Sequence, residues 1–159
     1  MGATFVSPGE GRSLWVLGEL VTCKTTSEQT GGAYSLFKVS THPGAGPPSH
    51  VHHREDESFY VLHGEFKFAV EDSTISAGVE SLIYVPKGTL HAHKNVGEEV
   101  GSMLITQTPG GLYEGFLEEA GRPGTGLSSP SLAPTPEEVQ KMGELGRKYG
   151  IEYLPLFVW

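Results

Sequence analysis

The 159-residue chain is predicted to fold as a single all-β domain built as a closed barrel or a pair of packed sheets. Its 22 glycines and 11 prolines imply many turns between short segments. Runs of alternating apolar and polar residues recur at regular short intervals, and glycine turns separate them. This spacing favours a β-barrel or β-sandwich over an α/β fold.

The predicted strands follow one another from residue 14 onwards. They comprise residues 14–17, 20–25, 33–40, 57–62, 65–70, 81–85, 91–95 and 100–107. The fourth and fifth form a hairpin around Gly64, because glycine permits the tight turn. The continuous apolar character of residues 81–85 predicts a buried strand. Residues 1–13 are polar, contain Gly and Pro, and are predicted to form an N-terminal arm.

The pattern changes at residue 109, after the predicted barrel of residues 14–108. Residues 109–159 are predicted to form a helical C-terminal extension packed outside the barrel, with a first helix that stops at Gly121. Residues 122–134 are rich in Gly, Ser and Pro and resemble a linker. Residues 135–138 combine an N-cap, a first-turn proline and a capping box. Gly150 suits the end of this second helix, whose apolar stripe comprises Val139, Met142, Leu145 and Tyr149.

Four side chains are candidate metal ligands: His50, His52, Glu57 and His91. His50 and His52 are separated by one residue, so in an extended strand they point to the same side. Two imidazoles and a carboxylate on one face are typical of a non-haem metal site. His91 follows a Pro-Lys-Gly turn about thirty residues later, and a sheet closed on itself could bring it to the same point.

Three neutral imidazoles and one carboxylate leave one or two positions free on a five- or six-coordinate ion. This ligand set favours one divalent transition-metal ion per chain, namely Fe, Mn, Ni, Cu or Zn. The absence of thiolate ligands argues against a structural zinc of the cysteine type.

These residues resemble the two motifs of the cupin superfamily. The first, G-x5-H-x-H-x4-E-x6-G, is matched by Gly44, His50, His52, Glu57 and Gly64. The second, G-x5-P-x-G-x2-H-x3-N, is matched by Pro86, Gly88, His91 and Asn95. One position departs, because Glu80 stands where the second motif begins with glycine. The resemblance covers about residues 14–108 and implies a jelly-roll barrel with His50, His52, Glu57 and His91 as metal ligands.

A looser resemblance concerns the small single-domain cupins similar to quercetin 2,3-dioxygenases. It depends on the Pro-Pro-x-His-x-His approach, the Phe-Tyr-Val-Leu run after Glu57 and the helical tail. In some of those enzymes the motif glutamate is pictured as a base, so Glu57 is a candidate base as well as a ligand. His93 shares a strand face with His91 and is a candidate second-sphere donor or acid/base group; the alternative is that it only fills the pocket. His53 and His63 are expected to be exposed.

The resulting hypothesis is a metal-dependent cupin that acts on a small organic molecule, as a quercetinase-like dioxygenase holding substrate and O2 at the metal. A non-catalytic small-molecule-binding or metal-binding cupin is one alternative. A cupin isomerase or cyclase is the other, because the fold alone does not determine the chemistry.

The remaining features limit partners and location. The net charge of -8 argues against binding to nucleic acid. No apolar run approaches the roughly 18 residues of a membrane span, and no signal peptide is recognisable at the N-terminus. The single cysteine, Cys23, fits a reducing compartment, so a cytoplasmic location is expected. A homodimer that uses the strands at residues 14–17 and 20–25 is also expected.

Overall fold

The computed structural model describes residues 2–124 and 135–154. Within them the chain forms short strands and two helices. The strands are β1 (Ser13–Val16), β2 (Glu19–Thr25), β3 (Ser35–Thr41), β4 (His50–His52), β5 (Asp56–His63), β6 (Phe66–Val70), β7 (Ser73–Ala77), β8 (Leu82–Val85), β9 (His91–Asn95), β10 (Gly101–Thr108), β11 (Arg122–Pro123) and β12 (Ile151–Tyr153). The helices are α1 (Leu112–Ala120) and α2 (Pro136–Lys148).

The strands form two antiparallel sheets. The larger sheet has the order β11-β1-β2-β3-β10-β5-β8, and the smaller has the order β12-β4-β9-β6-β7. Both helices lie near the C-terminal end of the described chain. The predicted all-β class, with few and C-terminal helices, is therefore confirmed.

The hydrophobic core lies between the two sheets. Phe37 and Phe59 come from the larger sheet, Phe66 and Phe68 from the smaller one, and all four are almost fully buried. The rings of Phe59 and Phe68 meet edge to face with centroids 5.2 Å apart. Alternating residues of facing strands thus fill one common interior, as in a closed barrel.

One predicted strand differs in its environment. β8 was predicted to be buried, but that prediction is wrong for half of it, because Leu82 is 65% and Tyr84 59% exposed. β8 lies at the edge of the larger sheet, and only its inward residues Ile83 and Val85 reach the core. β7 was not predicted at all. Its Ser- and Thr-rich sequence is mostly exposed and carries little hydrophobic pattern.

The C-terminal extension contains both predicted helices. α2 has the predicted capping box: the Glu138 N–H donates to Thr135 Oγ1 at 3.2 Å, and the Thr135 N–H donates to Glu138 Oε2 at 2.8 Å. Gly150 follows the last helical turn with a φ of 80°. Met142, Leu145 and Tyr149 pack against the core, whereas Val139 is 40% exposed and does not join them.

Two short strands lie beyond the predicted barrel boundary at residue 108. β11 falls inside the predicted linker and pairs with β1 through Leu14↔Pro123 and Trp15↔Arg122. Residues 125–134, the rest of that linker, lie outside the described residues. β12 pairs with β4, so the extension adds a strand to the smaller sheet beside the histidines.

The helices of the described chain are too short or too polar to cross a membrane. The homodimer and the cytoplasmic location stay predictions. β11 occupies part of the outer edge of β1, one of the strands expected to mediate the dimer.

Candidate metal centre

Backbone contacts fasten the two motifs to each other. His50 on β4 is directly opposite His91 on β9. The glycine- and proline-rich loop before β4 is fixed to the end of β9, because the Gly44 N–H donates to Asn95 O at 2.9 Å and the Asn95 N–H donates to Ala45 O at 3.0 Å. The Asn95 side chain also donates to Thr41 O, at 2.8 Å. The motif asparagine therefore holds the loop that presents His50.

Three of the four predicted ligands form a tight buried group. Ligand atoms of His50, Glu57 and His91 all lie within 4.8 Å of one another. None of these residues is more than 5% exposed. The sheets bring them together from three strands that are separated in sequence, as the motif spacing predicts.

Hydrogen bonds fix the orientation of two of these rings. His50 Nδ1–H donates to Pro48 O at 2.8 Å, and His91 Nδ1–H donates to Thr89 O at 3.0 Å. In each neutral ring the proton on Nδ1 leaves a lone pair on Nε2. This arrangement is typical of metal-ligating histidines, whose other nitrogen is held by a carbonyl or a carboxylate.

The donor set contains two buried atoms that lack partners. His91 Nε2 and Glu57 Oε2 are 2.7 Å apart, yet neither has an aligned hydrogen-bond partner among the described residues. A nitrogen lone pair and a carboxylate oxygen repel each other at this distance unless a proton or a cation lies with them. Unpartnered buried polar atoms are rare and costly, so the residues fit a bound cation.

His52 lies beside this group rather than within it. Its Nε2 is 3.5 Å from Glu57 Oε1, and its ring centroid is 5.2 Å from that of His50. Its Nδ1–H donates to Glu55 Oε2 at 3.1 Å. The lone pair on Nε2 of the neutral ring is therefore available on the Glu57 side.

Gln107 holds the other oxygen of Glu57. The two residues are opposite each other on β10 and β5, and Gln107 Nε2–H donates to Glu57 Oε1 at 2.8 Å. A carboxylate oxygen only accepts, so the amide orientation of Gln107 is determined. Gln107 Oε1 is then left buried with no partner among the described residues.

The electrostatics favour a neutral imidazole and an ionised carboxylate. Burial lowers the pKa of His50 well below its ordinary value, and the His91 and His52 rings lower it further. Burial alone would raise the pKa of Glu57, but His52 and His91 together hold that pKa well below its usual range. Burial lowers the pKa of His91, but the Glu57 carboxylate has the larger net effect and raises it.

Two tyrosines from the C-terminal extension flank the histidines. The Tyr153 ring lies 5.5 Å from that of His50, and the Tyr113 ring lies 6.0 Å from that of His52. Burial raises the pKa of both phenols, and Glu57 raises both further. The extension therefore supplies apolar rings with polar ends beside the ligand group.

His93 faces a different partner. Its Nε2–H donates to Glu19 Oε1 at 2.7 Å, and Thr41 donates to the same oxygen at 2.8 Å. The His93 ring lies against the rings of Phe59 and Phe68, and its Nδ1 has no partner among the described residues. The acid/base role of His93, like the base role of Glu57, stays a prediction.

His53 and His63 are exposed, as predicted. Sequence reasoning did miss several residues of the site. Glu55 stands between two exposed residues and an acidic pair, and nothing in the sequence distinguishes it from a solvated loop, yet it is 1% exposed. Gln107 could have been noticed as a polar residue on the inward face of an alternating strand. The other missed residues are Glu19, Tyr113 and Tyr153.

Comparison with known proteins finds similarity in the region of the barrel. The family model described as Cupin domain matches residues 37–106. The mannose-1-phosphate guanylyltransferase of Escherichia coli is 28% identical over 75 residues, which cover 47% of this chain. The chain spans 16% of the length of that enzyme.

Solved structures with the same fold include proteins of differing activity. KdgF from Halomonas sp. superposes with a TM-score of 0.61 at 18% identity, covering 69% of this chain and 94% of that one. Streptomyces Pac13 bound to uridine gives 0.57 at 22% identity, covering 69% and 84%; it is described as a nucleoside dehydratase. Oxalate oxidase bound to glycolate gives 0.51 at 24%, covering 59% and 54%. At these identities the likeness concerns the fold.

The two-sheet barrel and the positions of both motifs on paired strands agree with the family match, so residues 37–106 are similar to a cupin domain in sequence and in fold.

Proposed function

We propose that the chain binds one divalent transition-metal ion through His50, His52, Glu57 and His91. The observation that carries the proposal is a pair of buried atoms, Glu57 Oε2 and His91 Nε2, which are 2.7 Å apart and have no aligned hydrogen-bond partner among residues 2–124 and 135–154. His50 completes that group. We propose His52 as the fourth ligand because its ring lies beside that of His50, with centroids 5.2 Å apart. Its Nδ1 is already engaged, and its Nε2 is on the Glu57 side, 3.5 Å from Oε1.

The ligand types restrict the identity of the ion. Imidazole nitrogen with one carboxylate suits Fe, Mn, Ni, Cu or Zn. Gln107 donates a hydrogen bond to Oε1 of Glu57, whereas Oε2 has no hydrogen-bond partner among the described residues. We therefore propose Glu57 as a ligand through Oε2.

We propose further that the site acts on a small organic molecule, with a quercetinase-like dioxygenase as the first reaction to test. A bound metal ion would supply Lewis acidity and a fixed point for an oxygen-bearing substrate and O2. The protein provides the surroundings: Tyr113 and Tyr153 border the ligand histidines, and Phe59 lies against His91. Such mostly apolar walls with a few polar groups are typical of small-molecule sites.

Metal content is the first test. Protein purified without nickel affinity should carry close to one ion per chain by elemental analysis. The His50→Ala/His91→Ala double variant should lose it. The matched control is His53→Ala/His63→Ala, which removes two exposed histidines and should leave the content unchanged. Wild-type protein that stays free of metal after incubation with each candidate ion contradicts the proposal.

The reaction requires a second experiment. The Fe-, Mn- and Ni-loaded proteins are incubated with a panel of flavonols and enediols while O2 uptake and products are measured. Uptake that depends on both metal and substrate supports the dioxygenase. Tight binding of an unreacted ligand without uptake favours a non-catalytic binding cupin, and a rearranged product without uptake favours an isomerase or cyclase.

A further inference from the structure

Glu55 is a buried carboxylate in an otherwise exposed part of the chain. It is 1% exposed, although His53 and Arg54 before it are exposed. Burying an ionised carboxylate is costly unless its oxygens accept hydrogen bonds. The burial of Glu55 therefore requires hydrogen-bond donors to its two carboxylate oxygens.

Each oxygen of Glu55 accepts one hydrogen bond, from two distant parts of the fold. His52 Nδ1–H donates to Oε2 at 3.1 Å. The backbone N–H of Tyr113 donates to Oε1 at 3.0 Å, 58 residues along the chain. Tyr113 lies in the first turn of α1, and the N-cap residue of that helix, Gly111, makes no side-chain cap. Glu55 thus satisfies an N–H that the helix start would otherwise leave free.

The three ligand histidines differ in how their Nδ1 atoms are held. His50 and His91 donate to backbone carbonyls two residues away, so their orientation is set by local backbone. His52 depends on a side chain that is itself held by the C-terminal extension.

We propose that Glu55 is a positioning residue: it keeps the Nδ1 of His52 protonated, directs the Nε2 lone pair towards Glu57, and makes this orientation depend on α1. This inference deepens the proposed metal function and rests on it. A carboxylate second partner of this kind fixes the tautomer and orientation of a ligand histidine, and its loss typically lowers metal affinity about 10- to 100-fold.

The substitution Glu55→Gln tests the role with little change in volume. An amide has one acceptor oxygen, whereas Glu55 serves two N–H donors with two oxygens. If the amide oxygen keeps the Tyr113 N–H, its NH2 group faces His52 Nδ1, which must then accept. The proton of His52 moves to Nε2, the atom required for the metal.

Two-bond ¹H–¹⁵N NMR of the imidazoles in metal-free protein reads the tautomer directly. We expect the Nδ1–H tautomer for His52 in the wild type and a shift to Nε2–H in Glu55→Gln. A wild-type His52 with its proton on Nε2, or a Glu55→Gln variant that keeps the wild-type tautomer, overturns the proposal. The wild-type measurement decides the matter even if the variant folds poorly.

Glu114→Gln is the matched control. Glu114 also anchors the first turn of α1, because it accepts from the Ser27 N–H at 2.6 Å and from the Ser27 and Ser35 hydroxyls. Its hydrogen bonds within the described part of the chain involve these two serines and not the proposed ligand histidines. We expect this variant to keep the His52 tautomer and the metal affinity, whereas Glu55→Gln loses about 10- to 100-fold in affinity. An equal loss in both variants would show that Glu55 only docks the helix, and would overturn the positioning role.

The two proposals fail separately. A wild type that binds no metal ends the proposed function, but the tautomer experiment still reports on Glu55. Normal metal binding with an unchanged Glu55→Gln variant ends the positioning role alone.

Discussion

The two oxygens of Glu57 have different surroundings, and this difference determines how the residue acts. Oε1 accepts from the amide of Gln107 at 2.8 Å, while Oε2 faces His91 and has no aligned hydrogen-bond partner in the described part of the chain. The pKa of Glu57 is also held below its usual range by His52 and His91. Both properties favour a carboxylate that stays ionised and presents one fixed oxygen.

Replacing Gln107 by leucine should weaken metal binding. The substitution removes the donor to Glu57 Oε1, so the carboxylate can rotate, and we expect the dissociation constant to rise about 10- to 100-fold. Competition with a chromophoric chelator measures it. Thr106→Val is the control. Thr106 is the neighbouring residue on β10 and its side chain points to the opposite face, so this variant should bind the metal ion like the wild type. Wild-type affinity in Gln107→Leu would contradict the role of this hydrogen bond.

Glu80 is the residue at which the second motif departs from glycine, and its backbone has a φ of 69°. A side chain at such a φ costs about 1–2 kcal/mol. Glycine removes this cost. It also increases the conformational entropy of the unfolded chain, which lowers the free energy of unfolding by about 0.4–1 kcal/mol.

Glu80→Gly should therefore raise the free energy of unfolding, by up to about 1.6 kcal/mol. Urea denaturation followed by circular dichroism gives the value. Glu80→Ala is the control, because alanine keeps the Cβ and should not show the gain. A lower stability in Glu80→Gly than in the wild type would mean that the side chain of Glu80 contributes more than its backbone conformation costs.

At the level of the elements, the loop before β4 is packed against the backbone of β9. A Cβ added at Gly46 would lie 1.9 Å from the carbonyl oxygen of His93. This clash cannot be relieved by a side-chain movement, because the contacting atom belongs to the backbone of β9, the central strand of the smaller sheet. The loop and β9 therefore keep their contact only with glycine at this position.

Gly46→Ala should destabilise the domain by about 1–3 kcal/mol, the usual effect of overpacking, and should also weaken metal binding because His50 follows this loop. Gly143→Ala is the matched control: Gly143 lies in α2 with nothing within 4 Å of an added Cβ. Alanine there should stabilise the helix by about 0.5–1 kcal/mol. Thermal melting of both variants is the measurement, and a neutral Gly46→Ala would contradict the packing.

Sequence reasoning found the elements whose information is local. The spacing of the histidines predicts that they share a face, and the capping box predicts the start of α2 at residue 135. Sequence reasoning did not find β12, because three residues carry too little pattern. It also did not predict the exposure of β8, because an edge position depends on the arrangement of the whole sheet. The burial of Glu55 was not predicted either, because it depends on a partner, Tyr113, that lies 58 residues away.

For the whole molecule, the proposed metal ion and a proton would compete for His91. The Glu57 carboxylate raises the pKa of His91 above its ordinary value, so His91 in the metal-free protein holds a proton more strongly than a free imidazole does. A metal ion must displace that proton. Affinity is thus highest above the His91 pKa and falls as the pH drops through it.

We expect the metal affinity to fall about tenfold per pH unit below the His91 pKa for one displaced proton. Isothermal titration calorimetry in buffers of different ionisation enthalpy counts the protons. The number of protons released on metal binding should be larger at pH 6 than at pH 8. Glu57 stays ionised throughout this range, so it adds nothing to the slope. An affinity that is constant between pH 6 and 8 would contradict the linkage.

The pairing of β12 with β4 joins parts of the chain that are far apart, as the contact between His53 and Glu152 shows at a separation of 99 residues. Contacts this distant are slow to form, because the entropy of closing a long loop must be overcome first. We therefore expect β4 to have an open edge during folding, after β9 has joined it. Tyr153 would not yet be packed on His50 in that interval, so the proposed ligand histidines would be within reach of ions in solution. We expect the order of folding to provide an entry route for the ion that the completed barrel then closes.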